Sequence, residues 1–138
     1  MENYMELKVL AIAKNEVFVR NTVAAFCSEV NPSIDVIADV KTAVSEAISN
    51  CIVHAYKNGE GDIYIRANII DGKLHIEITD NGCGINDINK AMEPYYTTEG
   101  ECERAGIGFT IMNAFMDDLS VENVIGGGVK VNMSKKLA

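Results

Sequence analysis

Side chains that could do chemistry occur in four short groups along this chain. Glu46 and Asn50 lie four residues apart in a helical pattern, and residues 80–84 read Asp-Asn-Gly-Cys-Gly. Two glycine groups follow, at residues 106–108 (Gly-Ile-Gly) and 126–128 (Gly-Gly-Gly). A carboxylate, an amide oxygen, a single aspartate and several glycines in this order are what a pocket for Mg²⁺ and ATP would need without a P-loop. The sequence contains no P-loop pattern.

Asp80 is predicted to point inward. Apolar and polar residues alternate over residues 73–80, and Asp80 falls on the same face as the apolar ones. A buried carboxylate needs a partner, which would be either a turn N–H group or a donor on a ligand. Gly82 and Gly84 allow the backbone to turn tightly and to approach a ligand closely.

Glu46 and Asn50 fall near the edge of the apolar face of a predicted helix. At about 100° per residue, the apolar residues of the segment 37–55 form one broad face, and Glu46, Asn50 and His54 step from the polar side toward its edge. This position would place a carboxylate and an amide where the helix meets a cavity. The same spacing is compatible with a solvated helix face, and His54 with a histidine that is simply hydrogen-bonded at a core edge.

Gly106 and Gly108 are predicted to lie where a helix begins, and free N–H groups at a helix start bind phosphate. They do not form a dinucleotide fingerprint, because no strand immediately precedes them and a third glycine is missing. Arg104 is the only cation in residues 91–105, so a phosphate held by this loop would take it as a donor. Pairing of Arg104 with a neighbouring glutamate fits the same spacing.

Composition limits the classes of function. A net charge of -8 argues against broad nucleic-acid binding, which depends on Lys and Arg, and favours a partner protein with a basic surface. With 138 residues we expect one domain, 1–138, with no room for a second catalytic domain. No apolar run could span a membrane and the acidic start does not resemble a signal peptide, so we expect a cytoplasmic protein. The cysteines, which show no Cys-x-x-Cys pair, are expected to be reduced thiols: Cys27, Cys51, Cys83 and Cys102.

The order of predicted elements is strand, two helices, hairpin, loop, helix, hairpin. A strand over 5–12 precedes a helix capped by Asn15 and a second helix from Ser33 or Asp35 to Tyr56. The later elements are strands at 62–70 and 73–80 joined by Asp71-Gly72, a loop over 81–105 with a short helix near 87–92, a helix at 106–115, and strands at 119–125 and 129–134. This order predicts an α+β, two-layer α/β sandwich, with a mostly antiparallel mixed sheet and helices on one face.

Taken together, the motifs resemble a known family. The segments that carry the resemblance are 15–20 with 22–26, 44–50 with 54–56, 80–84, 97–98, and 104–112 with 115–117. They are similar to the GHKL-type (Bergerat) ATP-binding fold of gyrase, heat-shock protein 90, histidine kinases and MutL. Within that fold the chain most resembles the small serine kinases that act as anti-sigma factors.

The resemblance implies a role for each part of the site. Asn50 would coordinate Mg²⁺, Asp80 would accept a hydrogen bond from the adenine amino group, and Glu46 would be the general base toward an acceptor hydroxyl. Further positions would shape the nucleotide pocket or lie in its lid: Gly82, Gly84, Gly106 and Gly108 in the pocket, and Thr97, Thr98 and the second catalytic candidate Arg104 in the lid. Val129 stands where relatives commonly carry threonine, and Glu99 where a lysine is often found, so we expect weaker nucleotide binding or slower transfer.

The first helix is apolar almost all round, which is more apolar surface than one core contact can use. Arg20 lies among its apolar residues, so we interpret the helix as a partner surface anchored by arginine, the alternative being a fully buried helix. The resemblance implies that a sigma factor and an anti-anti-sigma substrate compete for such a surface, and that the kinase is a homodimer. A related general-stress anti-sigma kinase and a binding protein that uses ATP only as a conformational ligand remain alternatives.

Overall fold

We analysed a computed structural model of the chain, which describes residues 2–55, 61–84, 92 and 106–138, without the side chains of residues 54, 55, 106 and 107. The elements, in chain order, are β1 (Glu2–Leu10), α1 (Ala13–Cys27), α2 (Ile34–Asn50), β2 (Asp62–Ile70), β3 (Lys73–Asp80), α3 (Gly106–Phe115), β4 (Asp118–Asn123) and β5 (Val129–Lys136). A 3₁₀ turn, Ser28–Val30, follows α1, and a π turn, Cys51–Ala55, extends α2. The predicted short helix near 87–92 lies outside the described residues, apart from Met92.

The strands form one sheet of five, in the order β1-β2-β3-β5-β4. All four described strand pairs are antiparallel, so the prediction of a mixed sheet is wrong on this point. Apolar residues of β2, β3 and β5 join those of the helices in one core. Polar residues such as Arg66, Asn68 and Glu77 alternate with them and line a groove on the opposite face. The α+β class and the single helical layer agree with the prediction.

The β2–β3 hairpin forms as predicted, with its strand limits correct to the residue. Its register pairs Ile70 with Lys73 and Ile63 with Asp80. The turn residues Asp71 and Gly72 have φ of 51° and 77°, the left-handed conformation that a tight two-residue hairpin requires at both positions. The hairpin therefore delivers Asp80 to the end of the central strand.

The helix starts show one correct and one incorrect prediction. Ser33 caps α2, because its hydroxyl accepts the backbone N–H of Val36 at 3.2 Å. Asn15 does not cap α1, which begins at Ala13 after Ile12. The amide of Asn15 instead donates to the carbonyl of Leu10 at 2.8 Å, and ties the helix to the end of β1.

Helix α1 is only partly buried. Val19, Val23 and Cys27 are fully enclosed, whereas Val17 and Phe18 are 45% and 50% exposed. The alternative of a fully buried helix is therefore wrong, and α1 leaves apolar surface exposed to solvent. No helix of the described ranges is long and apolar enough to span a bilayer.

The cysteines differ in state. Cys27 and Cys51 are buried free thiols, and burial raises the pKa of Cys27 to about 12, with a smaller contribution from Glu29. Cys83 is disulfide-bonded, so the prediction of reduced thiols is wrong at this position. Cys102 lies outside the described residues.

Candidate functional site

Helices α2 and α3 bring Glu46, Asn50 and Gly108 together. Asn50, in the last turn of α2, is 5% exposed, and Glu46 is half-buried one turn earlier. A Cβ placed on Gly108 would lie 3.3 Å from both Oδ1 and Nδ2 of Asn50 and 3.4 Å from Oε2 of Glu46. Glycine therefore lets the first turn of α3, which begins at Gly106 as predicted, approach the amide and the carboxylate closely.

Asn50 has an unsatisfied polar group. Its Nδ2 is buried and has no hydrogen-bond partner among the described residues, although a buried amide without one costs about 1–3 kcal/mol. Such a group is expected where a ligand completes the site. No cluster of three or more His, Cys, Asp or Glu side chains occurs in the described part of the chain. Mg²⁺ does not require one, because it keeps several waters and is bound through one or two carboxylates and substrate phosphates. At Asn50 the oxygen Oδ1, and not the unpartnered donor Nδ2, is the atom of the carboxamide that has lone pairs for a cation.

Asp80 is 1% exposed, at the end of β3, and so points inward as predicted. Its Oδ1 accepts the backbone N–H groups of Gly82 at 3.0 Å and of Val129 at 3.3 Å. The thiol of Cys51 donates to Oδ2 at 3.6 Å. One local turn bond, from Gly82, and two long-range bonds, from Val129 and Cys51, thus satisfy part of the carboxylate and fix its orientation.

Cys51 connects the two halves of the site, a role that sequence reasoning missed. It directly follows Asn50 and begins the π turn Cys51–Ala55, and its sulfur contacts Asp80. π turns are rare and occur often at functional sites. The sequence suggested only a reduced thiol at this position. A contact between residues 29 apart leaves no local signal.

The glycine turn at 126–128 packs against the segment that follows Asp80. All three glycines have positive φ, of 96°, 122° and 99°. A Cβ on Gly128 would lie 1.9 Å from the carbonyl oxygen of Asp80, which is impossible without moving the backbone, whereas one on Gly126 would meet nothing within 4 Å. Gly84, with φ of 77°, lies with Gly127 and Gly128 around a cavity of about 190 Å³. The side chain of Val129 is buried beside this turn.

Electrostatics distinguish Glu46 from an ordinary surface glutamate. Burial, and then repulsion by Glu16, raises its pKa above the usual 4.5. Glu16 lies on α1, where its Oε1 accepts a short hydrogen bond from Ser45 and is 3.6 Å from NH1 of Arg20. Arg20 is one-third exposed, and within the described part of the chain its buried Nε has no hydrogen-bond partner. Neither the Glu16–Ser45 contact nor its link to Glu46 was predicted.

Part of the predicted site cannot be placed. Thr97, Thr98, Glu99 and Arg104, the proposed lid residues, lie outside the described residues, as does the side chain of His54. The parts brought together are Glu46, Asn50 and Gly108 in one group, and Asp80, Gly82 and the glycine turn in the other.

The fold and these two groups define a class of protein. The histidine kinase-like ATPase domain matches residues 12–135, and the chain belongs to this family. It is therefore an ATP-binding protein of the kinase and ATPase type, which confirms the resemblance noted above.

Individual proteins narrow the comparison. The chain is 56% identical over 133 residues to an anti-sigma F factor from Caldanaerobacter subterraneus, covering 96% of this chain and 93% of that protein. It is 52% identical over 138 residues to the anti-sigma F factor of Clostridium acetobutylicum, covering 100% and 96% of the two chains. The RsbU and RsbW domains of Rv1364c from Mycobacterium tuberculosis share the fold, with a TM-score of 0.71 at 18% identity, over 98% of this chain and 32% of that chain.

Proposed function

We propose that this chain is an ATP-dependent protein serine kinase and anti-sigma factor. It would bind and inhibit a sporulation sigma factor of the F type and phosphorylate a serine of the anti-anti-sigma protein that opposes it. The observation that carries the proposal is the likeness of nearly the whole chain to anti-sigma F factors, at 56% and 52% identity. The convergence of Glu46 and Asn50 on Gly108 supports the kinase activity.

Two groups would hold the nucleotide. Asp80 would accept a hydrogen bond from the adenine amino group. The backbone N–H groups of Gly82 and Val129 already hold its carboxylate in place, which supports this role. Asn50 would hold Mg²⁺, which supplies charge neutralisation at the phosphates. The start of α3, with Gly106 and Gly108, would donate backbone N–H groups to the phosphates, and Arg104 and the lid threonines would act from outside the described residues.

Glu46 would act as the general base. It would accept the proton of the acceptor serine while the serine oxygen bonds to the γ-phosphorus and the bond from phosphorus to the bridging oxygen of ADP breaks. A base works best when its pKa lies near the operating pH. The upward shift of the Glu46 pKa, caused first by burial and then by Glu16, supports this role.

The partner surface would lie on α1. Val17 and Phe18 supply exposed apolar area, and Arg20 lies on the same helix beside α2. A sigma factor and its antagonist would compete for this surface. We also propose a homodimer; β1 supports this because it lies at one edge of the sheet and offers a backbone edge that pairs with no other strand in the described part of the chain.

A related general-stress anti-sigma kinase, or a binding protein that uses ATP only as a conformational ligand, is the alternative. In the second, Asp80 and Asn50 would still bind nucleotide, but Glu46 would have no proton to accept. Labelled phosphate separates transfer from binding directly.

Purified protein, γ-labelled ATP and Mg²⁺ should transfer label to a serine of the anti-anti-sigma protein, as shown by phosphoamino-acid analysis. Glu46→Gln should bind ATP as the wild type does and lose about 10²–10⁴-fold in transfer rate, the usual contribution of a general base. Glu122→Gln, the same chemical change on an exposed residue of β4, is the matched control and should transfer normally. Label that never reaches the antagonist would favour the binding protein, and normal transfer by Glu46→Gln would refute the base assignment.

A further inference from the structure

Strand β1 is a long and regular edge of the sheet. It has nine residues and no proline, and it pairs with β2 in one unbroken register along its whole length. A regular edge of this kind offers its N–H and C=O groups to another strand, and natural edge strands are usually short, bulged, charged or covered. No strand in the part of the chain that the structure describes occupies the free edge of β1.

The side chains of β1 alternate between the two faces of the sheet. Three apolar ones face the core and are half-buried there: Met5, Leu7 and Val9. Four others lie on the open face, beside the outward residues of β2: Tyr4, Glu6, Lys8 and Leu10. Tyr4 and Leu10 are 73% and 58% exposed, so each end of the strand leaves a large apolar side chain in solvent.

The core-facing residues of β1 are self-complementary about Leu7. If two copies of the strand pair antiparallel around a two-fold axis at this residue, Leu7 lies opposite Leu7 of the partner subunit, and Met5 lies opposite Val9 of the partner subunit. Residues directly opposite each other share a face and interact, so the apolar layer of one sheet would continue into the other. A two-fold contact of this kind uses the same patch on both copies.

The open face is complementary in the same register. Glu6 lies opposite Lys8 of the partner subunit, and the two-fold axis produces this ion pair twice. Tyr4 lies opposite Leu10 of the partner subunit, so the two exposed apolar side chains cover each other. Moving the axis to Glu6 or to Lys8 would place like charges opposite each other, which is destabilising.

The other edge strand of the described sheet lacks this complementarity. β4 has six residues, and both of its charged residues, Asp118 and Glu122, are acidic. Two copies of β4 paired about Ser120 would place Asp118 opposite Glu122 of the partner subunit, and these charges repel. β1 is therefore the edge that fits a second copy of this chain.

We propose that β1 pairs antiparallel with β1 of a second copy about Leu7 and joins the two five-stranded sheets into one. This inference rests on the homodimer proposed above and specifies its interface; it does not depend on the kinase activity or on the sigma factor. Lysine commonly protects an edge strand from pairing. Here Lys8 instead selects the register, because Glu6 of the partner subunit neutralises it.

Charge reversal tests the register, with the dimer dissociation constant of the full chain measured by sedimentation equilibrium. Glu6→Lys creates two like-charge pairs across the axis and should raise the dissociation constant by about tenfold or more. Lys8→Glu should do the same. The double variant restores opposite charges across the axis and should return the constant toward that of the wild type. Glu122→Lys, an equal reversal on β4, is the matched control and should leave it unchanged.

The double variant also separates contacts between subunits from contacts within one chain. Within the chain, Glu6 Oε1 is 3.1 Å from Arg66 Nε and Lys8 Nζ is 3.8 Å from Asp62 Oδ2. Both of these pairs become like-charge pairs in the double variant, so they cannot account for a rescue. A double variant that dissociates as readily as the single ones, or a Glu6→Lys dimer as tight as the wild type, would overturn the register and leave the homodimer standing. A monomeric wild type would refute the homodimer itself.

Cysteine cross-linking tests the same register independently. After subunit exchange, a mixture of Tyr4→Cys and Leu10→Cys chains should form a disulfide between the two introduced cysteines, identified by mass spectrometry of the linked peptides. Residues directly opposite each other lie within disulfide range, whereas two copies of Tyr4→Cys are far apart across the axis and should not link. A disulfide that joins two Tyr4→Cys chains at the introduced cysteines would overturn the proposed pairing.

Discussion

Glu46 and Asn50 are held in the folded protein at a cost in free energy. Burial and the charge of Glu16 disfavour the ionised form of Glu46, and the buried Nδ2 donor of Asn50 has no partner in the ranges that the structure describes. Residues with a purely structural role rarely combine a destabilised carboxylate with an unsatisfied buried donor. Their persistence side by side at Gly108 is typical of a site whose ligand provides the missing interactions.

The cost at Glu46 should appear as a pH-dependent stability difference. Its folded pKa is raised above the unfolded value near 4.5, so between these two values the native state binds more protons than the unfolded state. The contribution of Glu46 to the free energy of unfolding therefore falls as pH rises through this window. Glu46→Gln removes the effect. Its stability relative to the wild type should increase as pH rises through the window between the two pKa values, as measured by urea unfolding at several pH values. A difference that does not vary with pH would show that Glu46 titrates alike in both states.

Asp80→Asn should weaken ATP binding without unfolding the protein. The remaining amide oxygen can still accept the N–H groups of Gly82 and Val129, while an NH₂ group replaces the second acceptor. Loss of a hydrogen bond to a charged group costs about 1.5–3 kcal/mol, so calorimetry should show ATP affinity reduced by about 10- to 150-fold. The urea midpoint serves as the control and should fall only slightly, because the bond lost to the new NH₂ group is the weak one from the Cys51 thiol. Near-normal affinity would exclude the adenine role.

Residue types and spacing were sufficient to predict individual site residues such as Asp80, but not the contacts between residues far apart in the sequence. The inward direction of Asp80 followed from strand alternation, a local property. The contacts of Cys51 with Asp80 and of Ser45 with Glu16 each join residues 29 apart, and such contacts depend on how helices and strands pack. At Asn15 a local pattern gave a wrong prediction. Its side chain donates to the carbonyl of Leu10 instead of capping α1.

Among the elements, the turn between β4 and β5 requires glycine for reasons that its sequence shows only in part. Three successive glycines indicate a turn, yet the reason for them differs by position. Gly126 needs glycine only for its backbone conformation, while Gly128 also needs it because the carbonyl of Asp80 occupies the space of a side chain. The β2–β3 turn is the simpler case, since Asp71-Gly72 specifies it locally and was predicted correctly.

Alanine substitutions at Gly126 and Gly128 should distinguish backbone strain from steric overlap with the Asp80 carbonyl. Gly126→Ala should cost about 1–2 kcal/mol in free energy of unfolding, the usual penalty for a left-handed conformation. Gly128→Ala should cost about 1–3 kcal/mol more, because the backbone near Asp80 must move. Urea unfolding measures both, and ATP affinity should fall in Gly128→Ala alone. Equal losses in the two variants would mean that the turn does not hold the Asp80 segment.

At the level of the whole molecule, α1 has one side in the core and one apolar side exposed at the surface. Its buried side contributes Val19, Val23 and Cys27 to the core, and its exposed side presents Val17 and Phe18. Arg20 lies between the two, next to α2. The apolar pattern around the whole helix therefore reflects two contacts, one with the core and one available to a partner.

Arg20→Ala should weaken binding of the sigma factor and of its antagonist while sparing ATP. Loss of an arginine anchor at an interface typically costs about 2 kcal/mol or more, close to a thirtyfold change in dissociation constant. Arg66→Ala, an equal charge change at an exposed arginine of β2, is the control. Partner and nucleotide affinities are measured by calorimetry. A variant that loses ATP but keeps its partners would move the interface elsewhere.

The fold class was predictable because the alternation of the strands, the breadth of the helix faces and the hairpin turns are all local patterns that agree with one another. The relative direction of the strands was harder to predict, because the long segment between β3 and α3 gives no local signal of how the β4–β5 hairpin pairs with the β2–β3 hairpin. β5 pairs with β3 antiparallel, from Lys73 opposite Lys136 to Thr79 opposite Lys130. That pairing makes the sheet wholly antiparallel within the described strands.

The central place of β3 also determines how the protein should open. β3 is hydrogen-bonded to β2 along its whole length and to β5 up to Thr79, and its inward side chains are almost completely enclosed. Amides in such a strand exchange with solvent only when the whole domain unfolds, whereas strands at the sheet edges exchange through local opening. Asp80, at the end of β3, therefore stays fixed through local fluctuations, so the anchor proposed for adenine persists while other parts of the protein move.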